Sequence, residues 1–178
     1  EVVYVSTGDG ATSEGEFYEA LCLASIRRLP VLFVIQDNSW AISVHVDEQT
    51  PGGKISTLVR GFPNFLVEDV DGLDVIESYK ALRSAAQHVR SGKGPALVHA
   101  HVVRICPHSD SDDDKTYKTA AEKSEEQKRD PVRAFQALLF QEGYLVRRDL
   151  EALADEIRGE VTRAVQEALA EPTPEPSS

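Results

Sequence analysis

The 178-residue chain has no methionine, one tryptophan and only two cysteines. It also has no long apolar run. A bilayer span needs ~20 such residues, and the longest purely aliphatic or aromatic stretch is Val31 to Ile35. No basic segment precedes an apolar one, as it would in a secretory signal. No contact with a membrane is therefore expected. Cys22 and Cys106 lie far apart and match no zinc or redox spacing, so two reduced thiols in a cytoplasmic chain are the expectation. Positive charge is short as well: 19 Lys and Arg stand against 30 Asp and Glu, a formal charge of −11. Such a surface repels phosphate backbones and argues against nucleic-acid binding. Nucleotide signatures of the GxGxxG and GK[ST] kind are also missing. The lack of methionine, with Glu1-Val2-Val3-Tyr4-Val5 opening directly in a strand-like run, leads us to expect a fragment whose upstream part helps complete its site.

What remains is ordinary globular composition, 41% hydrophobic and 28% charged, with enough chain for a sizeable core. β-Branched and aromatic residues make Val2 to Ser6 a predicted strand. Gly8-Asp9-Gly10 breaks it. Phe17, Ala20, Leu21 and Ala24 recur at helical spacing within a helix expected over Glu14 to Leu29, which Pro30 stops. Val31 to Ile35 is apolar on both faces. A shorter helix is expected near Ile55 to Arg60, and a strand over Phe65 to Val70. Asp74 is placed as the cap of a helix to about Arg90, with Val75, Tyr79, Leu82, Ala86 and Val89 as its apolar stripe. Ala96 to Val103 is a further strand, carrying His99 and His101 toward one face as structural residues. Continuous apolar strands alternating with helices predict a parallel sheet covered on both sides.

Residues 107–130 are rich in Asp, Glu, Lys and Ser, and read as a mobile loop or solvated helix. Amphipathic helices are expected over 131–142, ended by Gly143, and over 149–170, capped by Asp149. The domain is drawn over residues 1–170, and 171–178 form a Pro-rich tail or linker.

Chemistry concentrates at two strand ends. Gly8-Asp9-Gly10-Ala11 joins a strand to a helix, the place where open α/β sheets receive ligands. Its glycines admit close backbone approach, and free N–H groups at the helix start favour an anion. An aspartate beside a phosphate makes sense with a divalent cation between them. Asn38 directly follows the second strand. One strand–helix–strand unit would bring it beside Asp9, and both offer hard oxygen atoms. Each residue has a plain alternative, a glycine-rich turn and an Asx turn. The pairing favours the ion.

The stretch GDGATSEGEFYEALCLASIRRLPVLFVIQDNSWAIS resembles the thiamine-diphosphate motif. More narrowly, it resembles the α subunit, or the α portion of a fused α/β chain, of the decarboxylating component of 2-oxoacid dehydrogenase complexes. The similarity runs on through VDGLDV, GKGPALVHAHVVR and HSDSDDDKTYK. It implies an α/β three-layer fold with a mainly parallel sheet, here an incomplete C-terminal part. It implies thiamine diphosphate and Mg2+ as cofactors. Asp9 and Asn38 would hold the metal by side chain and Trp40 by its main-chain oxygen. Gly8, Gly10 and Ala11 would lie along the diphosphate, Arg104 would meet a terminal phosphate oxygen, and Ile42 would sit near the thiazolium ring. His108 would be the catalytic residue over the cofactor. The implied reaction is oxidative decarboxylation of a 2-oxo acid with acyl transfer to a lipoyl group. The implied partners are a β subunit or β domain in an α2β2-type assembly and a lipoyl-bearing acyltransferase.

Departures from the pattern are local. Asp37 stands where asparagine is usual and either adds charge near the metal or points away. Ser39 stands for glycine, and Cys106-Pro107 for the commoner glycine and histidine. Ser109 and Ser111 sit where mitochondrial relatives are phosphorylated, and are read here as plain loop residues. An acetoin dehydrogenase-like subunit shares every motif. A non-catalytic α/β partner-binding domain is the alternative from another class.

Overall fold

The structure is a computed structural model that describes residues 1–173. In chain order, β1 (Val3–Gly8) runs into a single 3₁₀ turn (Gly10–Ser13) and α1 (Gly15–Arg27). There follow β2 (Val31–Asp37), a hairpin of β3 (Trp40–Ala41) and β4 (Val44–His45), α2 (Val46–Gln49) and α3 (Ile55–Val59). Next come β5 (Leu66–Asp71), α4 (Val75–Arg90), β6 (Ala96–His101), α5 (Ala120–Lys128), α6 (Pro131–Gln141) and α7 (Arg147–Ala170). By contacts the chain divides into two compact units, Glu1–Ala134 and Phe135–Ser178.

The first unit holds a four-stranded sheet in the order β1-β2-β6-β5, with every pairing parallel. This is the α/β architecture expected, and its cause is visible in β2 and β6. Leu32 and Val34 face one side with Ala96 and Val98, packed against Ala81, Ala85 and Val89 of α4. Phe33, Ile35 and Leu97 face the other with Leu21 and Ala24 of α1 and Ile55 and Val59 of α3. Strands buried on both faces need apolar residues at successive positions, which is the pattern the chain shows there. β1 lies at an edge, and its Val3 and Tyr4 are exposed.

Several local expectations shift. The first helix ends at Arg27, because Arg28 takes a left-handed conformation (φ 49°) before Pro30 is reached. Asp74 caps α4 as expected, accepting the N–H groups of Ile76 at 2.8 Å and Glu77 at 2.9 Å. Of its expected stripe, Val89 is buried and Leu82 and Ala86 pack against the core, whereas Val75 and Tyr79 are exposed and the alanines Ala81 and Ala85 also meet the sheet. Small side chains let the helix lie close to the strands.

Residues 107–130 contain α5 as the solvated helix, but also polar residues that are buried. Lys118 is 4% exposed and donates to both carboxylate oxygens of Glu126, at 2.6 and 2.8 Å. Asp114, also 4% exposed, receives Lys123.

In the second unit Gly143 follows α6 with φ 72° and lets the chain turn. α7 starts at Arg147, so Asp149 lies within its first turn and accepts the Val146 N–H at 3.3 Å rather than capping the helix. Its Leu153, Ile157, Val161 and Val165 recur at helical spacing and are exposed. The expected Pro-rich tail falls mostly on residues 174–178, which lie outside the described residues.

Candidate functional site

Parallel strands put all their C-terminal tips at one edge, and the candidate residues gather there. β1 and β2 are adjacent in register, Gly8 opposite Gln36. Asp9 follows Gly8, is 1% exposed, and points at the neighbouring tip: its Oδ1 accepts the Asn38 N–H at 3.4 Å. Its Oδ2 accepts from Gln49 Nε2 at 3.0 Å. Burial, reinforced by the Asp37 carboxylate, pushes the Asp9 carboxyl above its ordinary value of 3.8, despite those donors. A carboxylate so placed has a use for a cation. Asn38 Oδ1 accepts the Trp40 N–H at 3.1 Å, the Asx turn considered from sequence, and keeps a second lone pair.

The next three residues are held in a sharply bent strap. Ser39 and Ile42 both have positive φ, 67° and 54°, on either side of β3. For a β-branched residue such as Ile42 this is a costly conformation. It aims the Ile42 main-chain oxygen at Arg104 Nη2, 2.8 Å away. Trp40 packs edge-on to His45 (5.0 Å between centroids) and against Tyr117 (5.4 Å). Ala41 presses on Gly10: a Cβ built there would lie 2.8 Å from the Ala41 Cβ. Glycine is thus required at position 10 by contact. At Gly8 the nearest heavy atom to such a Cβ is Gln36 O at 3.9 Å, an ordinary contact, so a methyl group would fit there without a clash. Ala11 is exposed beside it.

Arg104 closes this group. Its Nη2 also donates to the Tyr117 hydroxyl at 2.8 Å. Its Nε and Nη1 are buried without a partner. Buried guanidinium donors left unpaired are costly, and a phosphate oxygen is a matching acceptor. The residues present therefore fit a diphosphate beside Gly8 with a divalent ion at Asp9 and Asn38. His108 is exposed on the following loop. Its backbone N–H donates to Asp112 Oδ2 at 2.9 Å, and the Tyr117 hydroxyl donates to the same oxygen at 2.5 Å. Those two bonds hold the Asp112 carboxyl below its ordinary value. Arg104 and the His108 loop are thereby tied through Tyr117 and Asp112. Ser109 and Ser111 lie on this loop, hydroxyls 3.2 Å apart.

Sequence reading missed Gln49, Tyr117 and Asp112, since nothing in their local pattern separates them from other polar residues. It also left Asp37 open between two directions. Asp37 is 3% exposed and turns into the sheet, its Oδ2 2.7 Å from His99 Nε2. Burial would raise its carboxyl, but the bonds from His99 and the Ser39 N–H outweigh this and hold it below the ordinary value. His101 Nε2 bonds Asp69 Oδ1 at 2.9 Å.

Comparison with known proteins gives a consistent result. A family model described as "Dehydrogenase E1 component" matches residues 1–177. The α subunit of 2-oxoisovalerate dehydrogenase from Bacillus subtilis (strain 168) is 35% identical over 175 residues, 98% of this chain and 53% of that protein. The pyruvate dehydrogenase E1 component subunit α from Mycoplasma pneumoniae is 38% identical over 175 residues, 97% of this chain and 48% of that protein. The α subunit of 3-methyl-2-oxobutanoate dehydrogenase from Mycobacterium tuberculosis (strain H37Rv) is 36% identical over 166 residues, 90% and 44%. The chain spans about half the length of the curated relatives it matches.

Proposed function

The chain belongs to the dehydrogenase E1 component family, and on that footing we propose that it forms the cofactor-holding part of an enzyme that oxidatively decarboxylates a 2-oxo acid. The acyl group passes to the lipoyl group of an acyltransferase partner. A β subunit or β domain completes the active site in an α2β2-type assembly. A cytoplasmic location belongs to the same reading and is supported by two unpaired cysteines; no helix among the described residues is long and apolar enough to cross a membrane. When bound, thiamine diphosphate supplies the electron sink that decarboxylation requires.

The residues of this chain divide the remaining work. Asp9 and Asn38 offer side-chain oxygens, and Trp40 a main-chain oxygen, to Mg2+. This is the hard-oxygen set that ion prefers. Gly8, Gly10 and Ala11 give the diphosphate a backbone bed, open at Gly8. Arg104, whose Nε and Nη1 have no partner among the described residues, would hold a terminal phosphate oxygen. Ile42, strained and exposed, is the apolar contact for the thiazolium ring. His108 has its backbone fixed by Asp112 and an exposed ring, and is the group this chain offers to substrate.

The observation that carries the reading is the meeting of Asp9 and Asn38 at neighbouring strand tips. Calorimetry on the complete α/β enzyme tests it. Thiamine diphosphate binding should require Mg2+ and be lost in Asp9→Ala. Metal-independent binding, or binding unaffected by that change, would end the proposal.

A further inference from the structure

Beside the turn that carries Asn38 lies a polar chain, buried at Asp37 and His99, with no part in the chemistry above. It comprises Asp37 at the tip of β2, His99 on β6, and Asp69 on β5 with His101. We propose that Asp37 and His99 form a clamp that sets the direction of this turn, acting as positioning residues for Asn38 and the Trp40 main-chain oxygen. The inference rests on the Mg2+–thiamine diphosphate reading.

Both oxygens of the Asp37 carboxylate are engaged. Oδ1 accepts the Ser39 N–H at 2.8 Å and Oδ2 accepts from His99 Nε2 at 2.7 Å. Its main-chain oxygen accepts the Val102 N–H at 2.7 Å. A carboxylate accepts only, so Nε2 carries the proton. The Asp37 side chain thus faces into the sheet and is not a metal ligand. Its effect falls on Ser39, whose left-handed conformation (φ 67°) is unfavourable for a residue other than glycine. Two bonds hold Ser39 there: the one from its N–H to Asp37, and the Val46 N–H to its oxygen at 2.9 Å. The residues on either side of Ser39, Asn38 and Trp40, are two of the three proposed ligands. The rotation of Asp37 therefore decides where both oxygens point.

His99 is a firm anchor. It is 0% exposed, its Nδ1 accepts the Ser56 N–H at 3.4 Å, and its ring lies 4.3 Å from that of His101. Asp69 in turn receives His101, the Ser56 hydroxyl and, at 3.8 Å, Lys54. The clamp is therefore tied through β6 to β5 and α3. The donor atoms of Asp37, His99 and His101 lie within 4.8 Å of one another, a spacing that also suits a transition metal. But Asp37 and His99 are bonded to one another and His101 to Asp69, so the cluster is read as a strut.

The test uses the complete α/β enzyme freed of cofactor, titrated with Mg2+ at fixed thiamine diphosphate, alongside thermal melts. His99→Leu removes the donor and should weaken Mg2+ binding ~10–100-fold, the range for residues that orient metal ligands. His99→Gln keeps an N–H near the Nε2 position and should stay within about threefold of wild type. Asp37→Asn sets an amide N–H against one of two donors and should behave like His99→Leu. If the H99L protein does not fold, D37N carries the comparison. Val89→Ala removes core volume at the opposite end of the sheet, where α4 leads into β6. It should lower the melting temperature and leave Mg2+ affinity unchanged. Wild-type affinity in H99L and D37N, or equal loss in H99Q and H99L, overturns the clamp. A wild-type enzyme that shows no Mg2+-dependent binding instead removes the cofactor reading, and the clamp with it.

Discussion

Replacing Arg104 by methionine should separate cofactor binding from folding. The guanidinium makes two hydrogen bonds through Nη2, to the Ile42 oxygen and the Tyr117 hydroxyl. At about 1.5–3 kcal/mol for a bond to a charged group, their loss costs about 3–6 kcal/mol. Two further nitrogens, Nε and Nη1, are buried without partners. Each unsatisfied group carries a penalty of about 1–3 kcal/mol, so methionine relieves about 2–6 kcal/mol. The two effects nearly cancel. Cofactor-free R104M is therefore expected within about 2 kcal/mol of wild type in urea denaturation. Binding should respond differently. Two charge-assisted bonds to phosphate are worth roughly 3 kcal/mol or more, so thiamine diphosphate affinity should fall ~100-fold or more by calorimetry. Thiamine without its diphosphate should bind wild type and R104M alike. A variant that loses 4 kcal/mol or more of stability, yet binds the diphosphate normally, would show Arg104 to be a packing residue and refute the assignment.

Glycine substitutions should split in a related way. Gly10→Ala meets Ala41 at 2.8 Å and should destabilise the cofactor-free protein by about 1–3 kcal/mol. Gly8→Ala should melt like wild type and bind thiamine diphosphate more weakly. Gln49→Ala removes the Nε2 donor from Asp9 Oδ2 and is expected to weaken Mg2+ binding about tenfold, read by titration. Asp69 gives a pH prediction. Burial would raise its carboxyl, but the Ser56 hydroxyl, the His101 bond and the nearby histidines outweigh this and hold it below the ordinary 3.8. A depressed carboxyl stabilises the fold above the unfolded value, and that share is lost as pH falls through the folded one. Melting curves of wild type and Asp69→Asn should thus differ at neutral pH and begin to draw together only as pH falls below 3.8 toward the lowered folded value. A difference that stays constant throughout the acid transition would contradict this.

The sheet was legible because apolar continuity is a strong signal. Leu32 to Ile35 and Ala96 to Val98 are buried on both faces and nothing else explains such runs. Asp9 and Asn38 followed from the same logic, since adjacent parallel strands must end together. The β3–β4 hairpin was not legible. Its bends fall on Ser39 and Ile42, which give no sign of a left-handed backbone as glycine would. The stripe of α4 was legible at Leu82, Ala86 and Val89 but not at its start, because hydrophobicity points to Val75 and Tyr79, whereas close approach selects Ala81 and Ala85. The alternation of His99 and His101 marked one face of β6. Their pairing with Asp37 and Asp69 needed the strand order, which no local pattern contains. Burial of Lys118 and Asp114 was hidden for a similar reason, as each charge is neutralised by a neighbour in the fold.

The position of β6 bears on how the molecule assembles. Among the described residues it is the last strand, yet it lies between β2 and β5. β1 and β2 can zip together early, because only one helix separates them, and closing that short loop is comparatively cheap. β5 has no neighbour until residues 96–101 emerge. During synthesis, then, the tips bearing Asp9 and Asn38 meet while two strand edges still wait for a filler. That insertion joins the two halves and delivers Arg104, so the arginine proposed to hold the anion arrives only once these four strands are paired.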